Sequence, residues 1–194
     1  LLAKSYADKP TTATVLAYER ISNLTGDTGK ARSLLSDWLR KNPGDIEVMK
    51  EYGSLLLTGG DKAGALKQFE TVLKARPYDV IALNNVGWLI QKSDPKRAMA
   101  LVSQAAKIQP QSAAILDTLG WLKWQNNAKS DALALLQRAH NLAGNDPDIG
   151  YHLVVALDGS GKRDEAKALL NQILKSGAKF EDMAEAKQLA AKWK

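Results

Sequence analysis

The hydrophobic residues of this chain recur at helical spacing within short segments, and polar or glycine-containing stretches separate these segments. The segment from Ile46 to Asp79 shows the pattern most clearly, because Gly59-Gly60-Asp61 separates two amphipathic stretches within it. The apolar face of the first stretch consists of Met49, Tyr52, Gly53 and Leu56, and that of the second consists of Ala65, Leu66, Phe69, Val72 and Leu73. The pattern predicts two antiparallel helices that are joined by a short turn.

Small residues and prolines recur through the chain at intervals of 33 or 34 residues. They are Ala31, Ala65, Ala98, Ala132 and Ala166; Gly53, Gly87 and Gly120; and Pro10, Pro43, Pro77 and Pro110. A fixed period of this length is typical of a two-helix solenoid, in which stacking of neighbouring units buries a continuous core. We therefore predict an all-α, right-handed superhelical solenoid of antiparallel helix pairs, with about five repeats and a C-terminal capping helix.

The interval also predicts the boundaries of the repeats. The array is expected at 11–177, with pairs at about 12–43, 46–77, 80–110, 113–144 and 147–177. Residues 1–10 are interpreted as the end of a preceding, truncated repeat. Residues 178–194 are predicted to form the capping helix, because their charged residues lie on one side and their apolar residues on the other.

Composition narrows the range of functions. The 194 residues include no cysteine, which excludes disulfides and thiol catalysis, and the longest apolar runs are too short to span a bilayer. The net charge of +6 is spread along the chain, so no nucleic-acid partner is expected. His140 and His152 are twelve residues apart without an adjacent carboxylate pair, so we predict no catalytic site, no metal site and no cofactor.

The repeated glycines, alanines and prolines resemble the tetratricopeptide repeat (TPR) family over nearly the whole chain. The resemblance implies helix-pair repeats whose first helices line a concave ligand groove, with a protein or an extended peptide as the partner. Some family members hold a C-terminal carboxylate in a basic clamp. Lys50 and Asn85 match two clamp positions, but Ser54, Ala114 and Thr118 replace the others, so a clamp of that kind is not expected.

Three runs carry a narrower resemblance, to the C-terminal repeats of bacterial TPR lipoproteins associated with exosortase and PEP-CTERM sorting and with exopolysaccharide gene clusters. The runs are Asn84 to Leu89, Asp117 to Leu122 and Gly150 to Leu153. This resemblance implies a bacterial, extracytoplasmic protein, periplasmic and lipid-anchored through a missing N-terminal part, with a role in envelope export. A cytoplasmic location is the alternative.

The repeat places several polar and aromatic side chains on the inward face of the first helices. The predicted groove residues are Lys50, Asn84, Trp88, Asp117, Trp121 and Tyr151. Large aromatic side chains provide contact area at low entropic cost, and amide and carboxylate groups fix the register of a ligand. The alternative is that Trp88 and Trp121 fill the space between neighbouring helices. Trp38, Trp124 and Trp193 are interpreted as packing residues.

The leading hypothesis is a non-enzymatic scaffold that binds a protein or peptide segment in this groove. Two alternatives remain at this point. The same aromatic residues would suit a polysaccharide-binding module, and a structural spacer in a longer solenoid would need no ligand.

Overall fold

The computed structural model describes residues 10–193, and their regular structure is helical throughout. The prediction for residues 1–10 therefore concerns a segment that lies almost entirely outside the described residues. The helices are α1 (Thr12–Leu24), α2 (Thr28–Lys41), α3 (Ile46–Thr58), α4 (Lys62–Ala75), α5 (Val80–Ile90), α6 (Pro95–Ile108), α7 (Ala113–Gln125), α8 (Lys129–Leu142), α9 (Pro147–Asp158), α10 (Arg163–Ser176) and α11 (Met183–Lys192).

The helices form two compact units, the first extending to Leu89 and the second beginning at Ile90. In the first unit, α1 packs on α2 and α3 packs on α4; in the second, α7 packs on α8 and α9 packs on α10. Each unit thus consists of helix pairs that stack on one another, as the 34-residue period predicts. The all-α repeat architecture is confirmed.

Aspartates begin many of the helices. Asp27, Asp45, Asp61, Asp94 and Asp146 each occupy an N-cap, and the carboxylate of each accepts a hydrogen bond from a backbone N–H in the first turn of its helix. Such a cap satisfies a donor that the helix itself leaves unpaired, and it stabilises the helix by about 1 kcal/mol. These aspartates therefore determine where their helices begin.

The turns inside the repeats require a left-handed backbone. Gly26, Gly60 and Gly161 adopt φ angles of 80°, 83° and 80°, and Asn127 adopts 61° in the equivalent turn of its repeat. Glycine reaches this region without steric cost, and asparagine tolerates it better than most residues do. The segment Asp158 to Lys162, which contains Gly161, is therefore the turn that joins α9 to α10.

Glycines on the first helices allow close approach of the second helices. A Cβ atom at Gly53 would lie 2.9 Å from the Phe69 ring, and one at Gly120 would lie 2.8 Å from Cγ of Leu136. In the last repeat, Val154 occupies the usual small position. Gly150, one turn earlier, takes over the close contact, since a Cβ there would lie 2.8 Å from Ile173.

The C-terminal helix α11 packs against α10 and completes the second unit. Ala186 is fully buried in a cluster with Leu170 and Ile173, and Leu189 and Trp193 pack against the same cluster. The remaining side of α11 carries exposed polar residues. This helix corresponds to the capping helix that the sequence predicts.

Candidate ligand-binding site

The second unit contains a buried carboxylate–imidazole pair that joins two first helices. Asp117 lies in the middle of α7, and His152 lies in the first half of α9. Nδ1 of His152 is 2.9 Å from both carboxylate oxygens of Asp117, and both residues are buried. A buried polar group of this kind is tolerated because it is hydrogen-bonded. The pair therefore fixes the relative position of α7 and α9.

Trp121 lies one helical turn beyond Asp117 and covers the imidazole. Its ring stacks on His152 with a centroid distance of 4.3 Å and an interplanar angle of 19°. Trp121 is half-buried, so part of its indole remains accessible to solvent. Because the imidazole is itself held by Asp117, the tryptophan is anchored in one orientation at the surface of the unit.

Further carboxylates surround His152. Oδ2 of Asp182, the residue just before α11, lies 4.0 Å from Nε2 of His152, and Asp148 lies one turn earlier on α9. Burial alone would lower the pKa of His152. The hydrogen bond to Asp117 and the charges of Asp117, Asp182 and Asp148 outweigh burial and raise it above its ordinary value.

Tyr151 is buried, with 7% of its surface exposed. The ring of Phe180 packs against it at a centroid distance of 5.8 Å, and the backbone N–H of Glu181 donates to Asp148 over 2.9 Å. Burial, assisted by the charges of Asp182 and Glu185, raises the pKa of the Tyr151 hydroxyl. Phe180, in the segment before α11, thus covers Tyr151, which is one of the predicted groove residues.

In the first unit, Lys50 is engaged by its neighbours. Its Nζ lies 2.8 Å from Glu47 and 3.2 Å from Asp79, the residue that precedes α5. Burial favours the neutral amine, but the hydrogen bonds to Glu47 and Asp79 outweigh it and raise the pKa of Lys50. Its ammonium group therefore bridges two consecutive repeats, and any ligand charge would compete with these two carboxylates.

Asn84 and Trp88 lie one turn apart on α5 and are both half-buried. Oδ1 of Asn84 is buried and has no hydrogen-bond partner within the described residues. An unpaired acceptor of this kind is uncommon in folded proteins. Ligand binding by Asn84, Trp88 and the other predicted groove residues remains a prediction.

The role of His152 was not predicted from the sequence. The sequence shows no adjacent carboxylate pair beside either histidine, whereas Asp117 contacts His152 across a separation of 35 residues. That separation is one repeat period plus one residue. An alignment of the α7 and α9 sequences by the repeat period would therefore have suggested that the two residues are close. Such an alignment juxtaposes the two positions, but it does not show which rotamers bring them into contact.

Trp38 and Trp124 pack or hydrogen-bond at helix ends of their own units. Nε1 of Trp38 donates to Asp45 over 2.7 Å, and Trp124 lies against Gly159, where a Cβ would be 2.6 Å from its ring. Within residues 10–193, no group of three or more His, Asp or Glu side chains is arranged to hold a metal ion. The contacts that the structure shows around Trp121 are stacking on His152 and the hydrogen bond between His152 and Asp117.

Family comparisons identify the repeat. Two sequence models described as tetratricopeptide repeat match the chain, one over residues 25–80 and 51–113 and the other over residues 130–192. Together the matches cover more than half of the chain.

One curated relative is the "Cellulose synthase 2 operon protein C" of Komagataeibacter xylinus. It is 28% identical over 139 residues, which are 70% of this chain and 11% of that protein. The chain spans less than a fifth of the length of the curated relatives it matches, at 19% or 11% of each.

Solved structures share the fold. TTC0263, a thermophilic TPR protein of Thermus thermophilus, superposes with a TM-score of 0.71 at 19% identity, over 94% of this chain and 98% of that chain. YrrB, described as a TPR protein with an unusual peptide-binding site, gives 0.61 at 14% identity, over 90% and 91%.

None of the helices in the described part of the chain is long and apolar enough to cross a membrane. The period, the helix pairs, the turn residues and the matching sequence models all agree. The chain belongs to the tetratricopeptide repeat family.

Proposed function

We propose that this chain is a non-enzymatic scaffold that binds an extended protein or peptide segment on the surface of its first helices, with Trp121 as the main anchor in the second unit. Family membership supports a scaffold role, because TPR proteins generally act as non-catalytic scaffolds. The peptide-binding site for which YrrB is described supports a peptide as the ligand class.

The observation that carries this proposal is the way in which Trp121 is held. Its ring is stacked on His152, which is buried and hydrogen-bonded to Asp117, yet the indole is partly open to solvent. An aromatic side chain that is ordered before binding loses little conformational entropy when a ligand packs on it. The arrangement therefore suits a binding anchor better than a residue that only fills space.

A polysaccharide ligand is the second candidate. The resemblance to the cellulose synthase operon protein of Komagataeibacter xylinus supports it, because that protein's name places it in an operon for polysaccharide synthesis. The flat face of Trp121 would stack on a sugar ring as readily as on a peptide side chain.

The cellular role and location form a further part of the proposal. We propose a place in bacterial envelope export, exopolysaccharide production or protein sorting; the narrower sequence resemblance supports it, and the name of the same relative supports the link to exopolysaccharide. A periplasmic, lipid-anchored protein would fit that role, with a cytoplasmic location as the alternative. Fractionation of cells that express the full-length gene product tests the location.

The ligand class is tested by screening the chain against a displayed peptide library and an oligosaccharide array, and by following tryptophan fluorescence with each hit. We expect peptide hits whose binding changes the fluorescence and is lost in Trp121→Ala. The matched control is Tyr78→Ala, which removes an aromatic side chain that is 71% exposed and belongs to the first unit.

The screen separates the hypotheses. Oligosaccharide hits that depend on Trp121 would replace the peptide proposal with the polysaccharide one. Binding in neither screen, or equal loss in both variants, would contradict a ligand site at Trp121 and favour a structural spacer.

A further inference from the structure

His152 lies where three helices of the second unit meet. Its imidazole is on α9, its Nδ1 contacts Asp117 on α7, and its Nε2 faces Asp182 at the start of α11, 4.0 Å away. Trp121 closes one face of the ring by stacking. The two ring nitrogens are therefore directed at carboxylates from two different helices.

We propose that His152 is a pH-sensitive latch, which holds the C-terminal helix α11 on the last repeat while the imidazole is protonated and releases it when the proton is lost. The latch concerns the C-terminal helix alone, and it requires no ligand and no particular function.

The physical basis is the number of donors that the imidazole offers. The imidazolium has an N–H on each side, so it attracts Asp117 and Asp182 at the same time. The neutral ring keeps one N–H. With that N–H directed at Asp117, a lone pair faces Asp182, and the attraction that holds the start of α11 becomes a repulsion between acceptors.

Three carboxylates near His152 act on it in the same direction. Asp117 faces it from α7, Asp182 from the start of α11 and Asp148 from its own helix. All three are carboxylates, and together they overcome the cost of burying a charged ring. The pKa of His152 is accordingly raised above its ordinary value of 6.5.

The direction of the pH dependence follows from this shift. A group whose pKa is raised in the folded state stabilises that state fully below its unfolded pKa, and the stabilisation is lost as the pH rises through the folded value. The latch is therefore closed in mildly acidic solution and opens on the alkaline side of pH 6.5.

Release of α11 would uncover the apolar end of the last repeat. Ala186 covers Leu170 and Ile173 in the closed form, and the segment before α11 covers Tyr151 through Phe180. This segment also contacts α9 through the Glu181 N–H, which donates to Asp148 and does not depend on the imidazole.

Hydrogen exchange of the whole chain tests the latch, with protection factors that correct for the intrinsic pH dependence of exchange. We expect the α11 amides to lose protection as the pH rises above about 6.5, roughly tenfold for each unit by which docking of α11 itself raises the His152 pKa. The amides of α8 should keep theirs. The midpoint should match the titration of the His152 imidazole followed by NMR.

Two variants and a control complete the test. Asp182→Asn should keep α11 protected at high pH, because the amide donates to the neutral Nε2, and His152→Gln should remove the pH dependence. His140→Gln, at the second histidine, should behave like the wild type. Two results would overturn the latch, even if His152→Gln does not fold. One is α11 protection that stays constant with pH in the wild type. The other is an Asp182→Asn variant whose α11 amides lose protection with pH as strongly as those of the wild type.

Discussion

At the scale of single residues, a few polar side chains determine how neighbouring repeats are joined. Asp45 is an example: its carboxylate caps α3 through the N–H of Val48 and accepts further bonds from Thr12 and Trp38, over 2.6 and 2.7 Å. Burial raises the pKa of Asp45, but these hydrogen bonds outweigh it and hold the pKa below its ordinary value. One carboxylate thus connects α1, α2 and α3.

Replacing Asp45 with alanine should lower the free energy of unfolding by about 1–3 kcal/mol, because three donors lose their acceptor. Chemical denaturation at neutral pH measures the change. Asp37→Ala is the control, since Asp37 forms an exposed pair with Arg40 and its loss should change stability by less than about 0.5 kcal/mol. Equal effects of the two variants would contradict the role given to Asp45.

The lowered pKa of Asp45 also predicts a pH dependence. A depressed pKa stabilises the folded state above the unfolded value of about 3.9, and this stabilisation is lost as the pH falls through the folded value. When the pH is lowered, the free energy of unfolding should therefore fall less for Asp45→Asn than for the wild type. An equal fall of the free energy of unfolding in both proteins would show that Asp45 does not contribute to acid unfolding.

Gly120 should tolerate no larger side chain, because a Cβ there would meet Leu136 at 2.8 Å and the carbonyl oxygen of Ala132 at 3.3 Å. We expect Gly120→Val to destabilise the chain by about 1–3 kcal/mol through overpacking. Gly29→Val is the control in a helix, since a Cβ at Gly29 meets no other atom within 4 Å. Similar melting temperatures of the two variants would place the tight contact elsewhere.

At the scale of elements, most of the structure could be predicted and the reasons are local. Asp caps, turn glycines and apolar spacing are properties of short segments, so the helix pairs follow from the sequence. The burial of Tyr151 shows the limit, because it depends on Phe180 and on how the segment before α11 folds back. Long-range contacts of this kind leave no periodic signal.

The C-terminal helix provides a test at this scale. Ala186→Glu should place a charge against Leu170 and Ile173, lower stability by about 1–3 kcal/mol and promote self-association, because the apolar end of the last repeat becomes exposed. Ala184→Glu adds the same charge at an exposed position of α11 and should be neutral. Denaturation and analytical ultracentrifugation measure both effects, and a stable monomer for Ala186→Glu would argue against a covering role of α11.

At the scale of the whole molecule, each unit repeats one architecture, but the polar contacts between its successive repeats differ. In the first unit, Thr12 contacts Asp45, and Lys50 contacts Asp79. In the second unit, Gln125 contacts Gln91, and His152 contacts Asp117. The repeat period predicts that successive repeats contact each other. The type of each polar contact depends on which side chains occupy positions about one repeat apart. The binding surface depends on these individual side chains, so it could be predicted less well than the fold.

We propose that Trp121 is an anchor for a ligand and not a packing residue. The most direct measurement is isothermal titration of a peptide selected on the wild-type chain against Trp121→Ala, with circular dichroism and melting of both proteins. We expect the affinity of the peptide to fall by about thirtyfold or more, equivalent to about 2 kcal/mol, while the helical content is retained. Unchanged affinity, or a loss that accompanies unfolding of the second unit, would contradict it.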